Sequence, residues 1–275
     1  MWRFYGMGKR FECLLLAGLA LLAAGCGSGG QTVSVEGSTA MVQVMGALQE
    51  AWREQHPEVR VNISGTGSGA GVEAVLSGVC EIGLSSRELT AEETARGAEA
   101  WVVALDGIVV IVHPSNPVTG LGMAELAGIF TGTVTNWAQL GGEDRPVAVY
   151  GREAGSGTRA SFEDAVGVRD RCAYTNEYCS TGDVAGNVAG NPNSIGYVSL
   201  AAVSEAVRAV ELDGAACGVE TVRDGRYPIW RPMLLVTKRD GRLSKAAKEF
   251  LDFAVSTEAE AYIAMAGAVP PGERG

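Results

Sequence analysis

The sequence predicts an α/β protein folded in two lobes, and three observations carry that prediction. Short β-branched apolar runs alternate with stretches of helical spacing along the chain, the pattern of mainly parallel sheets flanked by helices. Three glycine turns rich in hydroxyls, at Gly37, Gly65 and Gly155, each lead from a strand into a helix. Two extended segments, one centred on Asp106 and one running from 227 to 237, have the character of passages from one lobe to the other and back.

The first 25 residues read as an export signal. Arg3, Lys9 and Arg10 form its basic end, and a nearly unbroken apolar run of twelve residues from Cys13 to Ala24 follows, too short to span a bilayer. It closes on Leu22-Ala23-Ala24-Gly25-Cys26, which resembles a lipobox. Cys26 is therefore the expected lipidation site, Gly27-Ser28-Gly29-Gly30 a flexible tether, and the protein is expected to be exported and anchored to the cell membrane, facing the periplasm or the cell exterior. Residues 26–30 are expected to form the anchor and tether, 31–109 the first part of lobe 1, 110–230 lobe 2, and 231–275 the return to lobe 1.

Thr32-Val33-Ser34-Val35 alternates as a strand, and Met41, Val44, Met45, Leu48 and Trp52 recur at helical spacing. His56-Pro57 ends that helix, 59–63 alternates as a second strand, and the turn from Ser64 to Gly71 opens a helix over 72–77. A strand at 82–84, the Ser85-Ser86-Arg87 turn and a helix from Thr90 precede the first passage, in which 102–105 and 107–112 are joined at Asp106. Beyond it, 123–130 is helical, Asn136-Trp137 marks a turn and 147–150 is a strand. Helices are expected from near Thr158 to Val166 and over 183–189, and strands at 195–198 and 207–212. The second passage runs into 233–237, and amphipathic helices over 245–255 and 258–266 close the chain.

The chemistry concentrates in Gly151-Arg152-Glu153-Ala154-Gly155-Ser156-Gly157-Thr158-Arg159. Arg152 offers a planar fork of N–H donors suited to a tetrahedral oxyanion. Ser156 and Thr158 add hydroxyls, and the glycines let successive amides point at one spot, at the positive end of a helix. The turns at Gly37 and Gly65 repeat this chemistry, so the three suggest convergence on one small tetrahedral anion. The Gly65 turn lacks the lysine of a P-loop and the acidic partner of a dinucleotide fingerprint, so no nucleotide cofactor is expected.

Net charge narrows the partners. The whole chain carries a net charge of −10, to which the export signal contributes +2, so the rest carries −12, which argues against nucleic acid or an anionic membrane surface. It does not argue against a small anion, because local donors govern a buried site. With Cys13 in the signal and Cys26 as anchor, Cys80, Cys172, Cys179 and Cys217 remain, and four cysteines allow three pairings. Cys172 and Cys179, close together in a Tyr/Asn-rich loop, are the expected disulfide, which leaves Cys80 and Cys217 as a second bridge or as free buried thiols. Their spacing is not that of a zinc site, and no metal is expected.

Gly37-Ser38-Thr39-Ala40, Gly65-Thr66-Gly67-Ser68-Gly69, Ser85-Ser86-Arg87, Leu105-Asp106-Gly107, the Arg152 to Thr158 stretch, Ile195-Gly196-Tyr197-Val198-Ser199 and Tyr227-Pro228-Ile229-Trp230-Arg231-Pro232 occur together and in order. In that combination the chain resembles the phosphate-binding proteins of bacterial high-affinity phosphate ABC importers, from about Thr32 to Val269. The resemblance implies a two-lobed, periplasmic-binding-protein-like fold of type II that closes on its ligand. It implies inorganic phosphate as ligand, a membrane permease as partner, a monomer and no catalysis. By the same resemblance the phosphate oxygens are held by Ser38, Thr39, Ala40, Ser68, Ser86, Arg152, Ser156, Gly157 and Thr158. Two positions depart from the family pattern: Ser86 stands where an aspartate accepts the proton of HPO₄²⁻, and Ala154 stands where another aspartate pairs with the phosphate arginine. Asp106 is expected to supply the missing acceptor, or else to pair with Arg87 and shape the pocket.

Two other readings compete. The ligand could be another tetrahedral oxyanion, such as sulfate, molybdate or tungstate. An exported hydrolase using Ser156 would need an imidazole base, but Gly155-Ser156-Gly157 is not a nucleophile elbow, and His56 and His113 both read as structural.

Overall fold

The computed structural model describes residues 31–272, so the expected export signal, Cys26 and the tether up to Gly30 lie outside the described residues. The chain runs β1 (Gln31–Gly37), a 3₁₀ turn (Thr39–Met41), α1 (Val42–Gln55), β2 (Val59–Gly65), α2 (Ser68–Ser77), β3 (Ile82–Ser85), α3 (Ala91–Ala95) and the long β4 (Ala98–Val112). It continues through β5 (Gly120–Leu121), α4 (Met123–Phe130), β6 (Ala148–Arg152), α5 (Gly157–Val166), β7 (Asn176–Tyr178), α6 (Thr181–Gly190) and β8 (Ser194–Ser199). Then come β9 (Arg208–Ala209), β10 (Glu211–Leu212), α7 (Val219–Arg223), β11 (Trp230–Lys238), α8 (Lys245–Ala254) and α9 (Glu260–Met265).

The strands form one curled sheet in the order β2-β1-β3-β11-β4-β8-β6-β7, with β9 added beside β4; β5 and β10 make a separate small pair. Pairs remote from the passages are parallel, and every antiparallel pair in the large sheet involves β4 or β11. Residues 98–107 of β4 pair with β11, and 108–112 pair with β8, so one strand serves both halves. The change of partner falls at Gly107, where a Cβ would lie 2.3 Å from Cys217 Sγ; only glycine fits there. The lobe boundaries expected at 109/110 and 230/231 fall inside β4 and after the first residue of β11.

Each half has its own core. In the first, Val33, Val35, Met45, Leu48, Phe250 and Ile263 pack together, because α1, α8 and α9 turn their apolar faces onto the β1–β3 strands. In the second, Ile108, Val110, Phe130, Phe162, Tyr197 and Tyr227 are buried. Val109 and Ile111 bury the opposite face against Val184, Val188 and Val198. Coverage on both faces explains why 108–112 is an uninterrupted apolar run.

Four differences from the sequence expectations have local causes. Helix α2 starts at Ser68 and not at Val72, because Gly69 and Gly71 are helical; a Cβ on Gly71 would lie 2.5 Å from the Glu36 carbonyl, so glycine lets the helix seat on β1. The single strand expected over 207–212 divides at the buried Val210, which donates to Val110 while β9 joins β4 and β10 joins β5. Strand β7 is three residues long, too short for a period to be read from sequence. The expected Cys172–Cys179 disulfide is absent: all four cysteines among the described residues are free. Cys172 sits against the Val168 carbonyl at 3.8 Å, and β7, extended at about 3.3 Å per residue, carries the exposed Cys179 away from it. Cys80 and Cys217 occupy different apolar clusters and do not meet.

Candidate anion-binding site

Four helical N-termini face one another across the junction of the halves. From the first half come the 3₁₀ turn that precedes α1, and α2; from the second come α5 and α6. The first amides of any helix lack intrahelical acceptors and carry partial positive charge. Three of these ends are the turns singled out in the sequence. The fourth, at Ser180-Thr181, was missed, although a hydroxyl pair followed by Gly182 before a helical stretch was the available signal.

Ser38 and Ser68 stand at helix starts without capping their own helices. Their hydroxyls go elsewhere: Ser38 Oγ donates to Ser86 Oγ at 2.7 Å, and Ser68 Oγ lies 3.3 Å from Ser86 Oγ while accepting from the Ser86 amide at 3.1 Å. All three serines are buried. Across the junction, Gly157 is packed so closely that a Cβ there would lie 2.3 Å from Ser68 Oγ and 2.8 Å from Ser86 Oγ. Further contacts tie the halves: Gly69 N–H to the Gly155 carbonyl at 3.2 Å, Ser161 Oγ to the Ser86 carbonyl at 3.2 Å, and Thr39 Oγ1 to Thr181 Oγ1 at 3.3 Å. Thr39 Oγ1 also accepts from the Thr181 amide at 3.4 Å. Ser156 caps α5 by accepting from the Arg159 amide, which leaves the Gly157 and Thr158 amides in the free first turn. Ala40 is buried in the 3₁₀ turn beside Ser38.

Arg152, at the end of β6, is buried and held from several sides. Its Nε donates to the Tyr178 carbonyl (3.1 Å), its Nη2 to the Cys179 carbonyl (2.8 Å) and its Nη1 to Thr181 Oγ1 (3.2 Å). Glu153 clamps the guanidinium, accepting from Nη2 at 3.1 Å and from Nε at 3.3 Å. Nη1 carries two N–H groups, and only one meets a protein acceptor among the described residues. Glu153 is about a third exposed, so solvent screens its charge more than that of the buried guanidinium.

Asp106 and Arg231 form the other buried charge pair. They face each other across β4 and β11, with Arg231 Nη2 and Nε donating to Asp106 Oδ2 at 2.7 and 3.0 Å. Asp106 Oδ1 accepts from Ser199 Oγ at 2.7 Å and from the Leu200 amide at 3.1 Å, and Arg231 Nη1 donates to the Ser86 carbonyl at 3.1 Å. Burial is the largest influence on Asp106 and pushes its carboxyl above the usual range, opposed by Arg231, Ser199 and Leu200. Arg231 thus takes the place expected of Arg87, which lies outside this cluster and pairs with Glu93 at 2.6 Å. With four donors on its two oxygens, Asp106 has no lone pair directed at the serine cluster.

The arrangement can envelop a compact anion with neutral donors from both halves and one guanidinium. The two histidines are engaged elsewhere: His56 stacks on Trp52 with centroids 3.6 Å apart, and His113 Nδ1 bonds Ser115. Among the described residues no group of His, Cys, Asp and Glu is arranged to hold a metal ion, and no helix is long and apolar enough to cross a membrane.

Residues 23–258 match the family model of the PBP superfamily domain. The phosphate-binding protein PstS of Bacillus subtilis is 30% identical, over 91% of this chain and 89% of its own. This chain belongs to the phosphate-binding protein family. A solved structure of a putative phosphate ABC transporter substrate-binding protein with bound phosphate, from Clostridium perfringens, is 38% identical with a TM-score of 0.85, covering 87% of this chain and 99% of that one. An ABC-type phosphate transport receptor from Vibrio cholerae is 33% identical with a TM-score of 0.71, covering 87% of this chain and 100% of its own. Against the phosphate-binding protein pattern, the departure at Ala154 has a local answer, since the neighbouring Glu153 grips the arginine. The departure at Ser86 has a different one, a cluster of three hydroxyls.

Proposed function

We propose that this protein captures inorganic phosphate between its two halves and delivers it to the membrane permease of an ABC importer, acting as a monomer held at the membrane through lipid on Cys26. The observation that carries this reading is the convergence of four helical N-termini and the Arg152 guanidinium, drawn from both halves, on one buried cluster. Ser38, Thr39, Ala40, Ser68 and Ser86 supply the donors of one half; Arg152, Ser156, Gly157, Thr158 and Thr181 supply those of the other. A ligand touching both sets favours the closed arrangement only through its contacts on both sides. The hinge is the β4–β11 ribbon, as in the hinge closure of periplasmic binding proteins generally. On this reading the protein is a receptor, in which Ser156 serves as the cap of its own helix. Calorimetric titration of the purified protein, stripped of carried-over anion, tests the proposal: phosphate and arsenate should each bind at one site per chain. Absence of binding by both would refute it.

A further inference from the structure

Arg152 is held through its main chain as well as through its guanidinium, and the main-chain partners are side chains. Its amide donates to the Tyr197 hydroxyl at 3.2 Å, and its carbonyl accepts from Arg159 Nη1 at 3.0 Å. The sheet does not supply these bonds, because the pairing of β6 with β8 ends at Val149 opposite Ile195, three residues short of Arg152. A buried main-chain group beyond the end of a ladder must find another partner or pay the full cost of losing water.

Both partners lead to Glu163. The Tyr174 hydroxyl stands 3.0 Å from that of Tyr197 and donates to Glu163 Oε1 at 3.0 Å, and Arg159 Nε donates to the same oxygen at 2.8 Å. A phenol has one hydrogen to give. Tyr174 gives its own to Glu163, so Tyr197 donates to Tyr174 and keeps its lone pairs for the Arg152 amide. The bonds therefore run in one direction from that amide to the carboxylate, an arrangement in which each bond polarises the next. Burial pushes both hydroxyls well above the usual phenol range, so they stay protonated. Glu163 is itself buried, and its Oε2 accepts from the Asp170 amide at 3.1 Å. The Tyr174 ring is built against β6: a Cβ on Gly151 would lie 2.2 Å from it.

Glu163 and Arg159 both belong to α5, the helix whose free first-turn amides at Gly157 and Thr158 face the site. One carboxylate thus sets the spacing between two groups of donors, the guanidinium at the end of β6 and the amides at the start of α5. We infer, resting on the phosphate-receptor reading, that Glu163 is a positioning residue for anion binding, acting through Tyr174, Tyr197 and Arg159 to hold Arg152 in register with the first turn of α5. Glu163 lies behind Arg152 and acts on the anion only through that residue.

The test is phosphate calorimetry on the intact protein, with Glu163→Gln and with Tyr174→Phe, which keeps the ring and removes only the link, each made in the parent and again in Arg152→Ala. In the parent each change should lower phosphate affinity about tenfold. In Arg152→Ala, where there is no guanidinium left to position, each should cost less than about twofold. A general loosening of the second half would cost as much with the guanidinium as without it. Equal losses in the two backgrounds, or no loss in the parent, therefore overturn the inference and leave the phosphate reading standing; a parent that binds no phosphate overturns both. The Arg152 amide gives a second readout that needs no ligand. In Tyr174→Phe it should exchange with solvent faster by about tenfold relative to the amides of β1, and an unchanged ratio overturns the inference even where the variants bind too weakly to titrate.

Discussion

Replacing Asp106 by Asn tests the least replaceable contact in the molecule. The carboxylate and the Arg231 guanidinium are both sealed from solvent, and each also bonds a different half: Asp106 reaches Ser199 and Leu200, while Arg231 reaches the Ser86 carbonyl. Asp106→Asn removes one charge and leaves the other buried, a change that costs about 3–5 kcal/mol. For a protein of this size each kcal/mol corresponds to about 2–4 °C, so Tm should fall by roughly 6–20 °C. The double variant Asp106→Asn with Arg231→Met removes both charges and should recover part of the loss, since the unpaired buried guanidinium that dominates it is gone while the new asparagine can still accept from Ser199 and Leu200. Phosphate affinity should stay low in the double variant, because the Ser86 carbonyl has lost its guanidinium anchor. Calorimetric unfolding and phosphate titration on the three proteins read both quantities. A single variant that melts within about 2 °C of the parent, or a double variant no better than the single one, would refute the reasoning.

Arg152→Ala should weaken phosphate binding by about 2–3 kcal/mol, roughly 30- to 150-fold, the worth of a charge-assisted hydrogen bond; titration of the variant checks it. It should also loosen the 178–181 segment, whose carbonyls at Tyr178 and Cys179 the guanidinium holds, visible as faster amide exchange there. Gly157→Ala should leave the unliganded Tm unchanged while phosphate affinity falls at least about tenfold, because the new methyl would meet Ser68 and Ser86 only when the halves are together. Thiol titration should find Cys80, Cys172, Cys179 and Cys217 all reduced, with the exposed Cys179 reacting first. Burial pushes Cys80 and Cys172 up to about 11 and Cys217 up to about 12, so these three stay protonated and slow to react at neutral pH until the protein is unfolded.

The parts of the site legible in the sequence were those whose chemistry is local. Ser38, Ser68 and Ser156 announce themselves because a glycine and a hydroxyl before a helical stretch have few other uses, and Arg152 because it precedes such a turn directly. The parts that were not legible depend on the sheet. Nothing near Asp106 in sequence points to Arg231, which lies 125 positions away and becomes its neighbour only because β11 is inserted beside β4; Arg87 looked nearer and turned out to serve Glu93. Likewise, Glu153 could not be told from any exposed glutamate, since its hold on Arg152 depends on the turn that follows β6. The cysteine spacing misled for the same reason, because a three-residue strand separates two residues that look adjacent on paper.

The position of β11 also dictates an order of assembly. It lies between β3 and β4, and the helices that complete the first core, α8 and α9, follow it in the chain. A chain emerging N-terminus first therefore cannot finish its first half until it has produced the second. Before residue 230 appears, β1, β2 and β3 have only a parallel three-stranded patch with an open edge and no Phe250 or Ile263 to close beneath it. The second half, by contrast, is nearly contiguous and holds most of its own core. Val269, beyond α9, then bonds back to Leu105 in both directions, at 2.7 and 2.9 Å, so a segment made after both cores stitches the junction on which the ligand site depends.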